Sequence, residues 1–104
     1  MAVVFGGLAA ARPDDALLIE GDEPAPAGHA VARFAATALH RRGCACCLPR
    51  HGAAAALGAL FLARARGEVP FFRRVLAVVR DAAAVRAALA GDVVTAARFR
   101  LDPP

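Results

Sequence analysis

Val75-Leu76-Ala77-Val78-Val79, entered through Arg73-Arg74 and closed by Arg80-Asp81, is the stretch on which the fold turns. Five apolar residues in a row, bounded by charge at both ends, predict a short strand covered on both faces. A strand of that kind belongs to a parallel sheet. Ala16-Leu17-Leu18-Ile19, after Asp14-Asp15, reads the same way, and Val3-Val4-Phe5 before Gly6-Gly7 gives a third. Helical patterns separate these runs. Asp81 suits the N-cap of a helix over Ala82–Ala90 that stops at Gly91, and Asp92 suits the cap of a last turn, Val93–Phe99. Val31, Phe34, Ala35, Ala38 and Leu39 fall at i, i+3, i+4, i+7 and i+8, which predicts a helix over Ala27–Arg42, with a bent strand as the alternative. Pro49 opens a further helix to about Arg66, ended by Gly67. The expectation is one α/β domain over residues 1–104, with a mostly parallel sheet of about three strands covered by helices.

Composition excludes much chemistry. The 104 residues contain no Lys, Ser, Asn or Gln, and all 13 basic residues are Arg. Without Lys there is no phosphate-binding lysine of a P-loop and no Schiff base, and without Ser there is no serine nucleophile. The net charge of +4 is carried by short pairs such as Arg41-Arg42 and Arg73-Arg74, read as solvated element ends. Nucleic-acid binding would need a clustered basic face with stacking surfaces, so no nucleic-acid partner is expected. No stretch reads as a membrane span, and the apolar start lacks the basic flank of a secretory signal. Three cysteines leave an odd one under any disulfide scheme, which points to reduced thiols in the cytoplasm.

Those cysteines carry the sharpest functional signal. Cys44, Cys46 and Cys47 lie within four positions, between Gly43 and Pro49. Cys44 and Cys47 have the C-x-x-C spacing that closes a chelate around one soft ion, and thiolates favour Zn²⁺ over Mg²⁺ or Ca²⁺. A fourth ligand would come from His51, from His40, or from Glu20 and Glu23 in the acidic turn Glu20-Gly21-Asp22-Glu23. The same cysteines could serve thiol redox chemistry, or be remnants without a ligand. His29 reads as a surface residue, and Phe71-Phe72 as the edge of the core.

Gly43-Cys44-Ala45-Cys46-Cys47 resembles the G-C-x-C-C motif of the CobW-type P-loop GTPases, metallochaperone relatives of UreG and HypB. The resemblance extends over about residues 16–102. Glu20 and Glu23 keep the E-x-x-E spacing of that family's acidic loop, and Ala96-Ala97-Arg98-Phe99-Arg100-Leu101-Asp102 is similar to its A-A-R-Y-R-L-D segment. The departures matter as much. Phe5-Gly6-Gly7-Leu8-Ala9-Ala10-Ala11-Arg12 stands where the family has G-x-x-G-x-G-K-T, and Arg80-Asp81-Ala82-Ala83 replaces its E-T-x-G switch. The resemblance therefore implies part of a P-loop NTPase domain that is not a GTPase. It would hold Zn²⁺ through Cys44, Cys46 and Cys47 with help from His51, Glu20 or Glu23, as a metal carrier or as the partner of a full-length GTPase or metalloprotein.

Overall fold

A computed structural model describes residues 1–35, 52–80 and 82–102. Its strands are β1 (Ala2–Phe5), β2 (Asp15–Glu20), β3 (Val31–Phe34), β4 (Arg74–Val78) and β5 (Arg100–Leu101). Its helices are α1 (Ala53–Ala65), α2 (Ala82–Gly91) and α3 (Val93–Arg98), with a 3₁₀ turn at Leu8–Ala10. The strands form one sheet in the order β3-β2-β4-β1-β5, and every pairing is parallel. The α/β class and the parallel sheet are as expected, and β4 is central with β2 beside it. Five strands occur among the described residues, where the sequence suggested about three.

Continuous apolar runs on β2 and β4 split between the two faces because successive side chains point oppositely. Ala16 and Leu18 of β2 join Val75 and Ala77 of β4 in the main core, against Ala53, Ala54, Ala56, Leu57 and Leu60 of α1 and Val85 and Ala88 of α2. Leu17, Ile19 and Leu76 point the other way and meet Leu8, Ala11 and Ala25 from the 3₁₀ turn and loops. Among the described residues, both larger helices thus contribute to one face. On the other face, the described neighbours of the sheet are the 3₁₀ turn and loops. Each fully buried Leu or Ile contributes about 1.5–3 kcal/mol on either side.

Two further expectations change. The predicted helix over Ala27–Arg42 is a strand where it is described, Val31–Phe34, paired from Leu17↔Val31 to Glu20↔Phe34. Its alternating inside–outside pattern is explicit in exposed Arg33 beside buried Phe34. Residues 27–30 before it form a turn, while residues 36–42 of that expectation, the opening at Pro49 and the Asp81 cap lie outside the described residues. The C-terminus of α1 is as expected. Gly67 has φ +69°, its N–H bonds Arg64 O at 3.2 Å, and the Glu68 N–H reaches Ala63 O at 2.9 Å. That pair of bonds satisfies the last carbonyls of the helix and favours a residue without a Cβ. Asp92 caps α3 as predicted, its Oδ1 accepting from Val94 N at 3.2 Å and its Oδ2 from the Thr95 hydroxyl at 3.0 Å.

At the amino edge of the sheet, Asp15 and Arg74 are register partners on β2 and β4. Arg74 Nε donates to Asp15 Oδ1 at 2.9 Å and its Nη2 to Oδ2 at 2.7 Å, while the Arg12 N–H also reaches Oδ2. Burial pushes the Asp15 carboxyl up, but the Arg74 fork and the Arg12 N–H outweigh it and hold it below the usual carboxylate range. Arg74 is therefore not the freely solvated strand end that the sequence suggested. His29 is half-buried and donates from Nδ1 to Asp15 O at 2.8 Å, so it too is more than a surface residue. Phe72 is buried, whereas Phe71 is 61% exposed with the Arg64 guanidinium 4.3 Å from its ring centre.

Candidate functional site

The parallel order fixes where a site can form. From β2 the chain moves outward to β3, at one margin of the sheet, whereas from β4 it passes through α2 and α3 to β5, at the other. The carboxyl ends of β2 and β4 are adjacent, so the segments that follow them part in opposite directions. In open parallel sheets such a divergence leaves a crevice beyond the strand ends, where ligands bind.

Here the crevice is a cleft of about 470 Å³ lined by Glu20, Gly21, Asp22 and Glu23 after β2 and by Val78, Val79 and Arg80 at the end of β4. Glu20 is the last residue of its strand, and its Oε1 accepts the Arg80 N–H at 2.9 Å, which ties the two walls together. Gly21, at φ +96°, turns the chain away from the sheet while its N–H bonds Phe34 O at 2.8 Å. The Arg33 guanidinium donates to the carbonyls of Gly21 and Glu23. The acidic turn is thus braced from β3, an arrangement with no signal in local sequence. It belongs to a built cleft as well as to a solvated turn.

Glu20 and Glu23 both line this cleft. Cys44, Cys46, Cys47, His51 and His40 lie outside the described residues. The chain leaves β3 at Phe34, which pairs with Glu20. It is described again from Gly52, ahead of α1. Arg64, near the other end of α1, donates to Phe72 O just before β4, so α1 runs against the strands with its first residues towards the carboxyl edge. Among the described residues, no group of three or more His, Cys, Asp or Glu side chains is arranged to hold a metal ion. Likewise, no described helix is long and apolar enough to cross a membrane.

Compared with known proteins, the chain matches no family model, no curated protein and no solved structure.

Proposed function

We propose that this chain is a nucleotide-independent metal-binding protein that holds Zn²⁺ or another thiophilic ion through Cys44, Cys46 and Cys47. The reading is supported by the cysteine spacing and its resemblance to the CobW-type motif. One structural observation carries it further: the Glu20↔Phe34 pairing sets the braced acidic turn beside the strand that leads into the cysteine-bearing segment. Thiolates supply a soft donor set, and Glu20, Glu23 or His51 would complete four-coordination. Metal carriage, or partnership with a GTPase or metalloprotein, follows from the same resemblance. Unpaired thiols suit the reducing cytoplasm.

Zinc titration against a chromophoric chelator tests the proposal. Wild-type protein should compete for Zn²⁺, and the Cys44→Ala/Cys47→Ala double variant should not. Cys46→Ala should cost less, because adjacent cysteines converge poorly on one ion. Affinity should fall with pH, since each thiol must lose a proton to coordinate. Equal zinc binding by wild type and the double variant would exclude the cysteines as the site.

The protein is also expected not to bind GTP. It has no Lys anywhere, and no hydroxyl follows Gly6-Gly7, so both β/γ-phosphate and Mg²⁺ contacts of a P-loop are absent from the sequence. A micromolar dissociation constant for a fluorescent GTP analogue, displaced by unlabelled GTP, would contradict that expectation.

A further inference from the structure

We draw no further inference here: the strongest candidate, the surface patch beyond the C-terminus of α1 where the exposed Phe71 ring lies against the Arg64 guanidinium, carries nothing because nothing in the structure shows what covers it.

Discussion

Arg74→Ala is expected to cost about 3–5 kcal/mol of folding stability, the range for removing one partner of a buried ion pair. The Asp15 side chain is almost wholly buried, and both of its oxygens receive bonds from the Arg74 fork. Without that fork the carboxylate keeps the Arg12 N–H but loses its countercharge. The loss should depend on pH in a definite direction. In the wild type, the Asp15 carboxyl is held below its ordinary value, so the unfolded chain binds the proton more readily than the folded one. Its contribution is complete above the unfolded carboxyl value, about 3.9, and disappears as pH falls through the lower folded value. In Arg74→Ala, burial without the countercharge pushes the same carboxyl up, so acidification relieves the variant. The stability gap between the two proteins should therefore narrow as pH falls, from above about pH 4 through relief of the variant and further below it through loss of the wild-type contribution. Urea unfolding at a series of pH values measures it, and a gap independent of pH would show that the pair is not the cause.

Leu76→Asp is expected to abolish cooperative folding. Leu76 is 1% exposed on the central strand, paired in register with Val4 on one side and Leu17 on the other. An aspartate there would have its neighbours' apolar side chains in place of water. Burying a carboxylate without a partner costs several kcal/mol, a large part of the roughly 5–15 kcal/mol that holds a domain together. Loss of the thermal transition, with far-ultraviolet circular dichroism reduced, is the expected result. A native-like melting curve would mean that the Leu76 face is open to water.

The elements most legible in the sequence are those whose signals are local. Asp92 caps α3 because a carboxylate two residues ahead of a free N–H is a short-range arrangement, and Gly67 ends α1 for the same kind of reason. Strand β3 was harder to recognise because Val31 and Phe34 satisfy a helical spacing as well as they satisfy alternation over four residues. Pairing with β2, which no local pattern records, selects the strand. Two-residue β5 is too short for any periodicity and exists through its partner β1. The same limit applies to the sites. Glu20 and Glu23 stand out as an acidic turn, but the Arg33 brace and the cleft against Val78 and Val79 come from strands distant in the chain. Asp15 and Arg74 each look like a charge at a strand end. Only the β2–β4 register reveals them as a pair.

The position of β1 bears on how the chain reaches this structure. Ala2 pairs with Arg74 on one side and with Arg100 on the other, so β1, the first of these strands in the chain, waits for both neighbours until the later part of the chain is made. Contacts so distant in sequence require large loops to close before they repay the lost chain entropy, and such topologies fold slowly. Strands β2 and β3, by contrast, are separated by one short loop and can associate while much of the chain is still emerging. Val3, fully buried in the finished sheet, would meanwhile remain wet. Destabilising changes in β1 should consequently accelerate unfolding more than they retard folding, a kinetic asymmetry imposed by strand order alone.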